Sequence, residues 1–245
     1  VGPWTITPGV RITIDPGVQV YANTTNASII VHGELHSLGT TSNPVSIGMN
    51  PSVSWTSSSG YWNGIRGQTP TQGNDPLVLQ NTTISGPTNY WYTPGQSSTG
   101  NSNLFDFRYF FRTNGNVIID NTTIKNGKEV SAEPDAYSYN QNGYIIQNLE
   151  FDNISLVRFS DGNKWYHNCK GNWWDEVSFY RSGVYISQPN FATTYPSSSY
   201  CNLNGRPVFD GWVFNQSDVE VYASSYFTTP TASNPTWWRG TFIDT

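Results

Sequence analysis

Five short segments of the chain share one pattern of apolar and polar positions. Each begins with two apolar residues, followed by Asp or Gln and usually by Asn or Gly, and carries Ile or Phe at its seventh position. The segments are 78–86, 118–126, 145–153, 173–181 and 208–216, and their starts lie 40, 27, 28 and 35 residues apart. Repeats of this length predict a solenoid, because each unit needs its neighbours to bury its apolar face.

Within each segment the alternation predicts two strands joined by a bend. The second, fifth and seventh positions point inward, and the fourth lies at the bend. Asn or Gly at the bend suits a left-handed backbone conformation, and Glu176 is the exception at this position. Stacked coils then form one interior column from the seventh positions, which are Ile84, Ile124, Phe151, Phe179 and Phe214. A β-sandwich with recurrent Asn-rich turns is the alternative.

The N-terminal stretch adds a second pattern. Two Pro-Gly turns, within 7–10 and 15–18, each lead into alternating Val and Ile. The segments that follow are SIIVHGELHSLGT (28–40), NPVSI (43–47) and WNGI (62–65). This order resembles the opening coils of secreted right-handed parallel β-helix proteins of the pectate-lyase-like superfamily.

The resemblance covers residues 5–67 in detail and residues 77–222 as degenerate rungs. It implies an all-β, right-handed parallel β-helix with loop insertions. We expect one domain over residues 1–245, with N-terminal coils in 1–67, rungs with insertions in 77–222 and a C-terminal segment in 223–245. The fold leaves the function open, because that superfamily holds lyases, hydrolases, adhesins, phage spikes and structural surface proteins.

Composition narrows the class of protein. Charged residues make up 12% of the chain and the net charge is −5, so no basic surface for nucleic acid is expected. No apolar run has the length of a membrane span.

Few carboxylates and many aromatic residues predict tolerance of acid. A first residue of valine rather than methionine leads us to expect a processed, secreted product.

The chain carries six sequons for N-glycosylation. They begin at Asn23, Asn26, Asn81, Asn121, Asn153 and Asn215. Four of them fall inside or at the end of the repeated segments, where Asn has a turn role of its own. The sequons therefore predict either a heavily glycosylated extracellular surface or structural ladders of stacked asparagines.

Two cysteines, Cys169 and Cys201, lie 32 residues apart. This separation is close to one coil, so the pair can meet on adjacent coils. In an extracellular chain we expect one disulfide between them, and two buried thiols are the alternative.

Candidate catalytic groups come from the third position of the repeats. This position holds Gln80, Asp120, Gln147, Asp175 and Asp210. If the coils stack in order, Asp175 and Asp210 are neighbours at about 5 Å, the spacing that a retaining glycosidase needs. Polar turn residues facing solvent are the alternative that we favour. The Asn-Thr-Asp, Asp-Asp and Gly-His-Gly motifs of polygalacturonase-like hydrolases do not occur, and we predict no catalytic residue.

The three histidines show no metal-ligand spacing, so no metal or other cofactor is expected. Aromatic clusters are the remaining candidates, because adjacent aromatic residues on a strand point to opposite faces. We predict that Trp91, Trp173 and Trp238 contact a partner subunit or stack on sugar rings. Packing of these rings over the core is the less specific alternative.

Both ends of the chain are strand-like and lack a polar cap, whereas natural solenoids usually cap their ends. We therefore predict a non-enzymatic, secreted, glycosylated subunit of an extracellular filament or fibre, with further copies of itself as the partner. The alternative is a carbohydrate-active enzyme or sugar-binding adhesin that binds polysaccharide on the lateral face. An enzyme of this kind would be a glycoside hydrolase that uses Asp175 and Asp210.

Overall fold

The computed structural model describes twelve parts of the chain. They are residues 3–24, 27–53, 62–67, 75–86, 103–106, 110, 116–131, 144–159, 173–175, 177–187, 208–222 and 237–243. Within this described part the chain forms β-strands and turns, without an α-helix. The protein is therefore all-β where it is described.

The strands are numbered in chain order. They are β1 (Trp4–Ile6), β2 (Arg11–Ile14), β3 (Gln19–Ala22), β4 (Ile29–Val31), β5 (Glu34–Leu38), β6 (Val45–Met49), β7 (Ile65–Gly67), β8 (Leu77–Ser85), β9 (Asn103–Asp106), β10 (Val117–Ser131), β11 (Tyr144–Phe159), β12 (Trp173–Asp175), β13 (Ser178–Tyr180), β14 (Gly183–Ser187), β15 (Val208–Asn215), β16 (Asp218–Tyr222) and β17 (Trp237–Ile243).

These strands join in three parallel ladders, each with eight layers among the described residues. Ladder A runs through β1, β4, β7, β9, the ends of β10 and β11, β14 and β16. Ladder B runs from β2 through β5, the first parts of β8, β10 and β11, then β12, β15 and β17. Ladder C runs from β3 through β6, the second parts of β8, β10 and β11, then β13, β15 and β17.

One strand from each ladder makes one turn of the chain, and successive turns stack in sequence order. We call β1, β2 and β3 the first coil, and β16 with β17 the last coil. This parallel architecture is compatible with a β-solenoid. A sandwich is built from antiparallel sheets, and no described pair of strands is antiparallel.

The interior column predicted from the seventh positions is confirmed. Ladder C pairs Ile84 with Ile124, Ile124 with Phe151, Phe151 with Phe179, and Phe179 with Phe214. All five side chains are fully buried. The register extends the column to Ile47 and Val20 in the first two coils, and to Phe242 in the last. Uneven loop lengths therefore leave the stacking of the strands intact.

The left-handed bend predicted inside the repeats is confirmed at three of its five positions. Asn81, Asn121 and Asn148 have φ of 44°, 48° and 51°, in the left-handed region that Asn tolerates better than most residues. Glu176 lies outside the described residues. Among the inward positions, Leu79, Ile119 and Ile146 at position two are fully buried, so each bend turns the strand without moving its apolar residues out of the core.

A second left-handed bend ends four of the five repeats, and the sequence pattern did not predict it. Its residues are Asn126, Asn153, Arg181 and Gln216, with φ between 46° and 57°. Arginine and glutamine rarely adopt this conformation, so residue type alone gives no signal at those two positions. This bend turns the chain from ladder C into ladder A.

The two N-terminal Pro-Gly pairs form the expected turns. Gly9 and Gly17 have φ of 77° and 79°, which a residue with a Cβ adopts only at a cost. Backbone N–H groups of Val10 and Val18 close the two turns. The first coil is therefore held in shape by its own turns as well as by the second coil beneath it.

Candidate functional site

The first coil leaves inward-column residues partly exposed. Ladder A aligns Trp4 with Ile29, yet Trp4 is 40% exposed and Ile29 is 3% exposed. Ile12 and Val20 are half-buried, although their register partners in the second coil are fully buried. The apolar interior is therefore open to solvent at this end of the described structure.

Other apolar side chains add to this surface. Six large apolar residues are exposed in the described part of the chain, and four of them lie in the strands of the first coil or directly before them: Trp4, Val10, Val18 and Tyr21. Contiguous exposed apolar residues are typical of interaction surfaces, whereas isolated ones are common on any protein. We call the first coil with these side chains the open end.

The backbone at the open end is also available for pairing. Among the described strands, β1 pairs with β4, β2 with β5 and β3 with β6, so each is bonded along one edge. At the opposite end, β16 pairs with β14 and β17 with β15. Within the residues that the structure describes, both ends of the ladders therefore present strand edges of the kind that add further strands.

The third-position column brings the two candidate catalytic aspartates side by side. The register pairs Asp175 with Asp210 directly, on β12 and β15. Their side chains lie outside the described part of the structure. Earlier in this column, Asp120 accepts a hydrogen bond from Nδ2 of Asn148 at 3.1 Å, which is a structural role at the bend.

A mixed charged cluster lies on the outer side of ladder C. Nη2 of Arg181 lies 3.0 Å from Oδ1 of Asp152, and the Arg181 guanidinium lies 4.6 Å from the centre of the Tyr180 ring. Desolvation raises the pKa of the neighbouring Glu150 carboxyl, the Asp152 carboxylate adds to this shift, and Lys125 opposes it. We call these five residues the lateral cluster.

A second group of charges joins the first two coils. Nε of Arg11 contacts Oε2 of Glu34, and this contact raises the pKa of Arg11 above its ordinary value. Nε2 of His36 lies 2.8 Å from the backbone oxygen of Asp75 and 3.6 Å from Oε2 of Glu34. His36 and Glu34 are both buried. The contact between Arg11 and Glu34 therefore links the first coil to the second.

Three of the sequon asparagines take part in amide ladders between coils. Nδ2 of Asn81 donates to the backbone oxygen of Gly39, and Nδ2 of Asn121 donates to Oδ1 of Asn81. At the second bend, Nδ2 of Asn153 donates to Oδ1 of Asn126 at 2.9 Å. The stacked asparagine ladders are therefore present at these three sequons, and glycosylation itself stays a prediction.

Several predicted site residues either lie outside the described residues or are described by their backbone alone. Cys169, Cys201, Asn26 and Trp91 lie outside the described residues. Trp173 and Trp238 are described by backbone alone: Trp173 pairs with the exposed Ile145, and Trp238 pairs with Phe209. The predicted contact role of these tryptophans, and the predicted disulfide, therefore stay predictions. Sequence reasoning missed the lateral cluster, because its members come from three separate repeats.

The described residues contain no group of three or more His, Cys, Asp or Glu side chains placed to hold a metal ion. Nor do they include a helix with the length and apolar character needed to cross a membrane.

No family model, curated protein or solved structure matches the chain.

Proposed function

We propose that the protein is a right-handed parallel β-helix that serves as a secreted, glycosylated structural subunit. In this proposal, copies join head to tail into an extracellular filament or fibre. The observation that carries the proposal is the open end, where interior columns and strand edges meet solvent together. The right hand of the coils is what parallel strands connected by crossovers adopt in nearly all proteins.

Physical chemistry favours covering this end. Unpaired backbone N–H and C=O groups along a strand edge form a template for another strand. Trp4, Ile12 and Val20 place apolar area beside those groups, and burial of such area is the main driving force for association. A coil docked on this end would pair the free strand edges and bury the apolar side chains in one contact.

The occupant that fits best is the last coil of a second copy. The last coil ends the same three ladders that the first coil begins, with β16 in ladder A and β17 in ladders B and C. Phe242 and Val20 lie in one ladder C column, so docking continues an existing column. A contact between two different surfaces of one chain repeats into a filament or a ring.

Neutral contacts between coils support an acid-tolerant extracellular role. Amide and hydroxyl groups supply many of the described bonds between coils, including Oγ of Ser37 to Oγ1 of Thr82 at 2.7 Å and the N–H of Ser182 to Oγ of Ser217 at 3.1 Å. Such bonds keep their donors and acceptors when carboxylates become protonated. With charged residues at 12% of the chain, few paired carboxylates are lost in acid.

The test compares assembly of the protein with that of two variants, by light scattering and negative-stain microscopy. Trp4→Glu places a charge at the open end, and the matched control Ile145→Glu places the same charge on a lateral residue that is 51% exposed. We expect filaments or rings from the wild type and from Ile145→Glu, and monomers from Trp4→Glu.

Two results would contradict the proposal. One is a wild-type protein that stays monomeric at high concentration, which would mean that another segment or another molecule covers the open end. The other is equal assembly by Trp4→Glu and Ile145→Glu. Circular dichroism of each variant checks that the charge has not unfolded the first coil.

The second candidate function is sugar binding or hydrolysis on the lateral face. Two observations favour it: the direct register pair of Asp175 and Asp210, and the lateral cluster with its partly exposed Tyr180 ring beside carboxylates. Aromatic rings with nearby carboxylates suit sugar rings and hydroxyl groups. Binding of a neutral polysaccharide that Tyr180→Ala abolishes, or hydrolysis that Asp175→Asn with Asp210→Asn abolishes, would favour this function over the structural one.

A further inference from the structure

An N-linked glycan is attached through Nδ2 of asparagine. The nitrogen forms a bond to the anomeric carbon of a sugar that is activated on a lipid phosphate, the bond from that carbon to the phosphate oxygen breaks, and the nitrogen loses one proton. In the folded protein the modified nitrogen must therefore face solvent with room for a sugar ring. A sequon whose Nδ2 is held between two coils does not meet this condition.

Three sequons commit Nδ2 to a hydrogen bond with another coil, including Asn121, which is itself exposed. Nδ2 of Asn81 lies 3.1 Å from the backbone oxygen of Gly39, while its Oδ1 accepts from Nδ2 of Asn121. Nδ2 of Asn153 donates to Asn126, and Asn153 is only 8% exposed. A sugar on Nδ2 of Asn81 or Asn153 would displace the adjacent coil, and a sugar on Nδ2 of Asn121 would compete with its bond to Asn81.

Two other sequons meet the condition. Asn23 is exposed, and its Oδ1 accepts a 2.8 Å hydrogen bond from Nδ2 of Asn50. Its own Nδ2 has no partner among the described residues. Asn215 ends β15 in the extended conformation and is half-exposed; its backbone oxygen is bonded to Arg181 and Ser217, and no described residue is bonded to its side-chain amide.

We infer that Asn23 and Asn215 are sites of glycan attachment, and that Asn81, Asn121 and Asn153 stay unmodified as structural ladder residues. The inference rests on the secreted state in the proposed function. Asn23 follows β3 and Asn215 ends β15, so both sites lie where strands of ladder C end. Asn23 also lies outside β1, β2 and β3, whose edges the proposed docking uses.

The experiment is glycopeptide mapping of the protein isolated from its natural source. We expect occupancy at Asn23 and at Asn215 to exceed that at each of the three ladder sequons by at least about 10-fold. Asn23→Gln and Asn215→Gln should each lower the intact mass by one glycan. The matched control Asn81→Gln should leave the mass of the glycans unchanged and lower Tm, because the Asn81 ladder is lost.

Equal occupancy at the ladder sequons, or bare Asn23 and Asn215, overturns this inference. A protein without any glycan overturns it together with the glycosylated part of the proposed function. Filament formation is measured separately by microscopy, so failure of the glycan sites and failure of head-to-tail assembly are distinguishable.

Discussion

The ring of Phe179 stacks on the ring of Phe214, with centroids 4.9 Å apart and planes within 5° of parallel. Phe151 continues the stack on the other side of Phe179, at 5.3 Å. Each ring belongs to a different coil, so the repeat distance of the parallel ladder sets the ring spacing. The aromatic stack therefore joins three coils directly through the core.

Removal of the middle ring should destabilise the fold strongly. Phe179→Ala leaves a cavity between two rings, and large-to-small changes of this kind cost about 3–5 kcal/mol. Urea unfolding measures the loss. Ser178→Ala is the matched control, because Ser178 is its half-buried neighbour on the same strand. A Phe179→Ala variant as stable as Ser178→Ala would contradict the interior place of the ring.

The bend at Asn121 allows a test of backbone conformation apart from hydrogen bonding. Both Asn121→Gly and Asn121→Ala lose the bond to Asn81, but only alanine meets the penalty of the left-handed region, about 1–2 kcal/mol. Part of this difference is offset by the greater chain entropy of unfolded glycine. We expect the alanine variant to be the less stable by roughly 1 kcal/mol, measured by thermal unfolding. Equal stabilities would argue against φ as the reason for asparagine here.

The raised pKa of Glu150 predicts a stability gain that depends on pH. In a group of this kind the folded state binds a proton more tightly than the unfolded state, so ionisation of Glu150 opposes folding at neutral pH. Glu150→Gln should therefore raise Tm at pH 7. The gain should vanish below the ordinary carboxyl pKa of about 4.3, where both states are protonated. A gain of equal size at pH 3 would mean that the charge of Glu150 is not its cause.

The predicted disulfide has a direct chemical test. If Cys169 and Cys201 are joined, non-reducing mass spectrometry of native protein finds the linked peptides and no alkylated thiol. Closing a loop of 32 residues stabilises a fold by roughly 3–4 kcal/mol in the loop-entropy estimate, so reduction should lower Tm. Two alkylated cysteines in native material would show that the prediction is wrong.

Much of the coil stacking follows from sequence because one nine-residue pattern recurs in five segments. Ile84 and Phe151 are found in one column since apolar residues recur at fixed positions while the loops vary in length. The left-handed bend at Asn121 follows from residue type in the same way. Arg181 gives no such signal, because arginine has no preference for the positive φ that it adopts here.

The candidate surfaces are harder to derive from sequence. Tyr180 and Asp152 are register partners on the adjacent strands β13 and β11. Only this register brings them together, because they lie in different repeats. Trp4 occupies an interior column, yet it is exposed because no described coil lies beyond it. The exposure of a side chain at the end of a column depends on whether another coil stacks there. The alternation of apolar and polar residues carries no information about that coil.

Head-to-tail docking makes a prediction that side-by-side association does not. A variant that lacks residues 237–245 loses β17, the last strand of ladders B and C, but it keeps the open end. Trp4→Glu damages the open end but keeps the last coil. Each variant alone should be monomeric, because each has lost one of the two different surfaces that the contact needs.

Mixing the two variants should restore one contact and no more. The last coil of Trp4→Glu can still dock on the open end of the shortened chain, so a 1:1 mixture should give heterodimers that cannot grow. Analytical ultracentrifugation measures the stoichiometry, and circular dichroism confirms that each variant is folded. Heterodimers from the mixture, with filaments from the wild type, would establish a heterologous contact. Filaments from either variant alone, or monomers in the mixture, would instead remove the two ends from the assembly mechanism.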